Sequence, residues 1–188
     1  MNLFRHARWN RWLLAAQGGD RRAFRDLYRE LYPDVVRFVA RRVGNAADRE
    51  DIVAIVFHRV VERLDHFDPG RGTVRAWVLT IARNAVIDHV RRRRNHAALD
   101  EVVLAEFGCP VERLAADEVS RRVRAWLDGQ ATELKEMYVL RYGDGLRHRE
   151  IADVLGLSES AVKQRFSRSL RELRLHLRSM ASEVDYAT

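Results

Sequence analysis

The side chains with the clearest chemistry in this sequence are cationic and hydrogen-bonding groups set at helical spacing. In "SESAVKQRFSRSLREL", residues 158–173, Ser160, Lys163, Gln164, Ser167, Arg168 and Arg171 fall on the free side of a predicted helix. Hydroxyl, amide, ammonium and guanidinium groups presented together can hydrogen-bond base edges and phosphates in a DNA major groove. A second stretch, "VRAWVLTIARNAVIDHVRRRR" at residues 74–94, sets Val74, Trp77, Val78, Ile81 and Ala85 toward a core. Thr80, Asn84, Asp88 and Arg91, with Arg83 beside them, face outward, and four consecutive arginines close the stretch. Four neighbouring guanidinium groups wrap around a helix, so one acidic face of the same domain cannot pair with all of them, whereas a polyanion can. A solvated basic helix end meeting the negative C-terminal dipole is the alternative.

Other chemistries find little support. The seven histidines include no close pair at metal-ligand spacing, and His58, His66, His89, His96 and His148 read as surface residues. A single cysteine, Cys109, excludes an internal disulfide framework and an all-cysteine metal site; it fits a reduced compartment and reads as a bystander thiol, with redox reactivity the alternative. Neither a phosphate-cradling glycine loop nor a nucleophile elbow is present. Asp48, Glu50 and Asp51 could be offered as metal ligands of a small nuclease, yet they sit in the first turn of a predicted helix, where acids are favoured electrostatically. No catalytic centre, metal or cofactor is expected.

The elements that must hold these groups are all helical. Asp20 can cap a helix through Phe24, Leu27, Tyr28, Leu31, Val35, Phe38 and Val39, with Pro33 a kink or boundary and Gly44 the stop. Asp48 opens the next, with Ile52, Ile55, Val56, Val60 and Leu64 on its apolar face. "DPGRGT" then breaks the chain, and Thr73 can cap the following helix. Near the C-terminus a helix over Arg149 to Leu155 ends at Gly156 and restarts under a Ser158 cap, the helix-turn-helix pattern, with Ile151, Leu155, Leu157, Val162, Phe166 and Leu170 as its small core.

Charge marks the domains. The 188 residues carry +7, built from 32 Arg and only Lys135 and Lys163 against 27 acids. Residues 1–94 carry net +9, residues 95–118 net −5, residues 119–178 net +5 and residues 179–188 net −2. The acidic middle segment contains Gly108 and Pro110 without a long periodic stripe, which predicts a flexible linker with at most one short helical turn. Arg5, Arg8 and Arg11 precede an apolar run of only five residues, Trp12 to Ala16, too short for a signal-peptide core or a spanning helix. The predicted architecture is therefore all-α: two small helical domains joined by a flexible acidic linker, the C-terminal one a helix-turn-helix domain.

The order of "DREDIVAIVFHRVVERL", "FDPGRGTVRAWVLTIARNAVIDHVRRRR", a linker and "LRYGDGLRHREIADVLGLSESAVKQRFSRSLREL" resembles the extracytoplasmic function (ECF) class of bacterial sigma factors, over roughly residues 20–178. The resemblance implies a region 2-like domain at 1–94, a linker at 95–118, a region 4-like domain at 119–178 and a tail at 179–188. The implied partners are core RNA polymerase, through the clamp of its largest subunit and the flap of its second-largest, double-stranded and melted promoter DNA, and an anti-sigma factor. The implied location is the cytoplasm at the nucleoid, or the membrane through the anti-sigma factor, with no membrane insertion.

Residue roles carry over from the same resemblance. Asp48, Asp51, Ala54, Ile55 and His58 occupy the polymerase-docking positions; Asp51 and Phe57 fit the family pattern, while Ala54 and Ile55 stand where a glutamine and an acid are usual. The minus-ten unit takes Arg71, Thr73, Arg83, Asn84, Asp88, Arg91, Arg92, Arg93 and Arg94, the loop from Asp68 to Thr73 capturing an unstacked base; Trp77, in the same unit, reads as core. Minus-thirty-five reading falls to Ser160, Lys163, Gln164, Ser167, Arg168 and Arg171, with Arg149 and Arg165 on phosphates. Arg147 stands where Ser or Thr usually caps the first helix of the motif, an omission worth about 1 kcal/mol. A stand-alone helix-turn-helix regulator is the competing reading.

Overall fold

The computed structural model describes residues 3–96 and 118–185, and among these every regular element is helical. Of the predicted linker, residues 97–117, with Cys109, lie outside the described residues, while Asn95 and His96 continue the fourth helix and Glu118 opens the fifth. The helices α1 (Leu3–Gln17), α2 (Arg21–Ala40), α3 (Ala46–Glu62) and α4 (Val74–His96) belong to one compact unit. The helices α5 (Glu118–Asp128), α6 (Thr132–Tyr138), α7 (His148–Leu155) and α8 (Glu159–Asp185) belong to a second, apart from the stretch Asp153–Gly156.

In the first unit α2 packs against α1, α3 and α4, and α3 against α4. The helix starts follow local chemistry. Asp20 Oδ1 accepts the backbone N–H of Arg22 at 2.8 Å and of Ala23 at 3.1 Å, the expected cap. Asn45 caps α3 by accepting Asp48 N–H at 3.1 Å, so the helix opens two residues before Asp48, and Asp48 sits in its first turn. Thr73 Oγ1 caps α4 through Ala76 N–H at 3.1 Å. Pro33 neither ends nor bounds α2: the helix runs through it, and because Pro33 is exposed, water can serve the Arg29 carbonyl that the ring leaves without a donor.

α1 is an addition to the sequence-based expectation. Trp9, Leu13 and Ala16, spaced four and three residues apart, are buried, and Arg5 and Arg8 reach Glu30 of α2 at 3.3 and 2.9 Å. The core of this unit is wider than the predicted stripe. On α4, Ala76, Leu79, Ala82, Val86 and Val90 are buried with Val74, Val78, Ile81 and Ala85, while Trp77 is half-buried against Phe67, with ring centroids 5.2 Å apart. Arg75 is buried as well. Its Nε donates to Asp34 Oδ2 at 2.7 Å, and Arg37 pairs with the other carboxylate oxygen.

The second unit is built around Trp126, Met137, Tyr138, Leu140, Leu146, Ile151, Val162 and Phe166. α6 runs into a π-helical turn, Val139–Gly143, and Gly145 takes φ +69° where the chain turns into α7. Tyr138 Oη and Ser169 Oγ share a buried hydrogen bond of 3.1 Å, which ties this turn to α8. α8 continues to Asp185, past residue 178, where the tail was expected to begin.

Replacing Asp34 by Ala removes a buried carboxylate partner of Arg75 and is expected to cost about 3–5 kcal/mol in urea unfolding. Replacing the pair together, Asp34→Leu with Arg75→Met, is expected to recover most of that loss.

Candidate nucleic-acid interface

The helix-turn-helix forms as its sequence requires. Gly156 takes φ +68° beyond the last residue of α7, and Leu157 N–H reaches back to Ala152 O at 2.9 Å, closing the helix end. Ser158 Oγ then accepts Ala161 N–H at 3.1 Å and starts α8. The missing Ser or Thr at Arg147 is partly replaced from the opposite side: the buried Glu150 carboxylate accepts Arg147 N–H at 2.9 Å, the reciprocal half of a capping box.

Ile151, Val162 and Phe166 are buried between the two helices, and Leu155, Leu157 and Leu170 half-buried. This packing fixes which side of α8 is free. Ser160, Lys163, Gln164, Ser167, Arg168 and Arg171 are all exposed on it, with Arg149 exposed on α7. Arg165 departs from the group: it is half-buried and pairs with Glu133 of α6, an internal ion pair where a phosphate contact was expected. Lys163 Nζ lies 2.7 Å from Glu159 Oε1, one turn back, and this contact holds the Glu159 carboxyl below its ordinary value. His148 packs against Phe166, ring centroids 5.2 Å apart. Burial first, then the charges of Arg141 and Lys163, push its pKa below the ordinary histidine value, against an opposing pull from Glu159.

In the first unit the loop before α4 has fixed ends and an open middle. Phe67 is buried and Thr73 half-buried as the α4 cap, whereas Arg71 is exposed with an ion pair of 3.6 Å to Asp68. Asp68 Oδ1 accepts Gly70 N–H at 2.8 Å, and Asp68 O accepts Arg71 N–H at 3.1 Å. Along α4, Asn84, Arg91, Arg92 and Arg93 are exposed, and Arg83 is half-buried. Asp88 pairs with Arg59 of α3 at 3.0 Å, and Arg93 with Asp48 of α3 at 3.1 Å. One member of the arginine run therefore does find an acid within its own domain. Arg92 Nε turns back to Asp88 O at 3.3 Å, and the Arg94 side chain lies outside the described set. The Thr80 hydroxyl donates to Ala76 O at 2.8 Å and so faces its own helix.

The positions expected from the sequence to dock on polymerase divide on α3. Asp51, Ala54 and His58 are exposed at spacings of three and four residues, so they share a face. Ile55 is half-buried, and Asp48 turns to Arg93. Next to Ala54 lies a groove of about 560 Å³ lined by Tyr28, Tyr32, Val36, Val53 and Phe57. Tyr28 and Tyr32 meet Phe57 at centroid distances of 4.5 and 5.9 Å. This groove was missed from sequence; Tyr28 and Tyr32, one helical turn apart, were its available signal. Among the described residues no three of His, Cys, Asp and Glu gather as metal ligands, and no helix is long and apolar enough to cross a membrane.

Residues 27–96 match the model of Sigma-70 region 2, and residues 131–173 that of Sigma-70, region 4. The ECF RNA polymerase sigma factor BldN of Streptomyces coelicolor is 34% identical over 84% of this chain, which spans 61% of BldN. The ECF RNA polymerase sigma factor SigK of Mycobacterium ulcerans is 30% identical over 83% of this chain and 86% of SigK. Among solved structures, CnrH in complex with the cytosolic domain of CnrY is similar at 28% identity and a TM-score of 0.59, covering 89% of this chain and 96% of CnrH.

A histidine whose folded pKa is lowered leaves the unfolded chain binding more protons in acid, so the stability tied to His148 is present above about pH 6.5 and falls below it. His148→Gln is expected to shrink the stability difference between pH 7.5 and 5.5 in urea unfolding, and the His148 ring protons to titrate below those of a free histidine.

Proposed function

As this chain belongs to the extracytoplasmic function RNA polymerase sigma factors, we propose that it binds core RNA polymerase, directs it to a subset of promoters and helps open them, with no catalytic step of its own. The observation that carries the division of labour is the free face of α8. Six hydrogen-bonding or cationic side chains stand there together on a helix whose other side is locked into a small core.

On this reading residues 119–178 read the minus-thirty-five element. Lys163, Gln164, Ser167 and Arg168 reach base edges, while Arg149 and Arg171 hold phosphates. Residues 1–94 dock on the polymerase clamp through the α3 face of Asp51, Ala54 and His58, with the aromatic groove beside it. The loop from Asp68 to Thr73 takes an unstacked base of the minus-ten element, and Asn84 and Arg91–Arg94 line the path of the opened strand. Unstacking a base costs a few kcal/mol, and a protein without ATP recovers this only by binding the extruded strand. Residues 95–118 serve as the acidic linker, and the second domain meets the polymerase flap.

The partner set includes an anti-sigma factor, since the similar CnrH is held by the cytosolic domain of another protein. The chain then acts at the nucleoid in the cytoplasm, or waits at the membrane wherever that partner is anchored.

In vitro transcription with bacterial core polymerase on pooled genomic fragments tests the whole reading. Discrete starts sharing two spaced upstream elements, seen only with the protein present, are expected; their absence with folded protein and active core favours a stand-alone regulator. Lys163→Ala with Arg168→Ala is expected to abolish promoter selection while core-polymerase affinity stays unchanged; loss of both together removes the α8 assignment. Replacing Arg91 to Arg94 by Ala is expected to weaken open-complex formation and to lower its salt slope by roughly one for each phosphate that is no longer neutralised.

A further inference from the structure

We infer that Gln17 is a positioning residue for the base-capturing loop, and that α1 is the strut through which it acts. The inference rests on the reading that the loop from Asp68 to Thr73 takes an unstacked promoter base.

α1 lies before residues 27–96, which match the region 2 model, yet its last residue reaches the middle of that region. Gln17 Nε2 donates to Leu64 O at 2.8 Å and to Phe67 O at 3.0 Å, across 47 and 50 residues of sequence. A primary amide has two N–H donors, and both are used here. The two carbonyls bracket the 3-10 turn Leu64–His66, and the second belongs to the last residue before Asp68.

From Asp68 onward the loop is held by its own atoms: the Asp68 carboxylate and carbonyl take the N–H groups of Gly70 and Arg71, and Thr73 caps α4. Gln17 therefore secures one end of the loop and Thr73 the other, leaving Asp68, Gly70 and Arg71 exposed between them. Phe67 carries the restraint inward as well, because its ring packs on Trp77, on the α4 turn that follows the loop.

α1 does not need Gln17 to stay docked. Trp9 and Leu13 are 1% and 0% exposed, and Arg5 and Arg8 pair with Glu30. The two hydrogen bonds restrain the Leu64–Phe67 turn instead. A loop fixed in its binding conformation captures a base without an ordering cost and tells one base from another more sharply than a loop that moves.

The test uses the full chain with core polymerase on a promoter pool in which the minus-ten element is randomised, sequencing the DNA recovered in open complexes. Wild type is expected to show a base preference at the captured position. Gln17→Met, similar in length but without donors, is expected to flatten that preference by about fivefold or more. Preferences in the minus-thirty-five element and core-polymerase affinity are expected to hold, and the urea midpoint to fall by no more than the loss of two part-buried hydrogen bonds. Gln17→Lys, which restores donors toward the two carbonyls, is expected to regain the preference. Retention of the wild-type preference by Gln17→Met overturns the inference, as does a parallel loss of polymerase affinity and stability, which marks Gln17 as merely structural. No base preference at any minus-ten position in wild type overturns the loop reading itself, and the role of Gln17 with it.

Discussion

The buried contact between Asp34 and Arg75 sets the geometry on which the first unit depends. Apolar packing draws helices together but is non-directional. A guanidinium donating 2.7 Å to a carboxylate is not, and both side chains are under a tenth exposed. The pair forms only when the first turn of α4 stands at one height and one rotation against the middle of α2. That turn follows the loop from Asp68 to Thr73 directly, so the interaction that orients α4 also sets where the loop must end. Arg37 on the second carboxylate oxygen completes the pairing of a charge that would otherwise be costly to bury.

Further along α4 the same theme recurs with weakening grip. Asp88 meets Arg59 and Arg93 meets Asp48, so acids and bases of α2 and α3 lace α4 at its start, middle and end. Only the first of these pairs is buried. The Arg93 side chain is 64% exposed, and a contact of that kind contributes little net stability. It can be exchanged for a phosphate at small cost. A gradient from a fixed buried pair to an exchangeable exposed one suits the proposed role of α4, which holds its own domain at one end and meets the opened strand at the other.

What the sequence made legible were features whose signals are local. Gly156 and Ser158 lie two residues apart, and the left-handed glycine and capping hydroxyl act within one turn of themselves, so the helix-turn-helix and its free face were readable without any tertiary knowledge. The caps at Asp20 and Thr73 were readable for the same reason. Arg75 was not, because charged residues read as exposed and its partner lies 41 residues away. The α4 core was under-read because buried residues cover most of its circumference, which blurs the periodicity that marks a face. α1 was missed although Trp9, Leu13 and Ala16 carried the pattern, since the interspersed arginines hide a narrow stripe. The five positions proposed for docking fell between these cases: three of them share a face, but only the fold shows Ile55 turned inward and Asp48 engaged with α4.

The proposed reading head of the second unit shows the same economy of internal partners. Lys163 rests on Glu159, one turn back on its own helix, and Arg165 rests on Glu133 of α6, while Gln164, Ser167, Arg168 and Arg171 point into solvent. An exposed lysine paired across one helical turn is weakly held, so a base edge or a phosphate can displace its carboxylate partner. Glu159 then becomes an acid close to the DNA backbone, and contacts made by Lys163 must outweigh that repulsion. A phosphate alone is a poor match for such a pair, because the attraction of the lysine and the repulsion of the glutamate oppose each other there. A base edge with an acceptor within reach of Nζ is a better one. On the proposed reading of α8, the pairing favours specific over non-specific binding, a bias built from two side chains four residues apart.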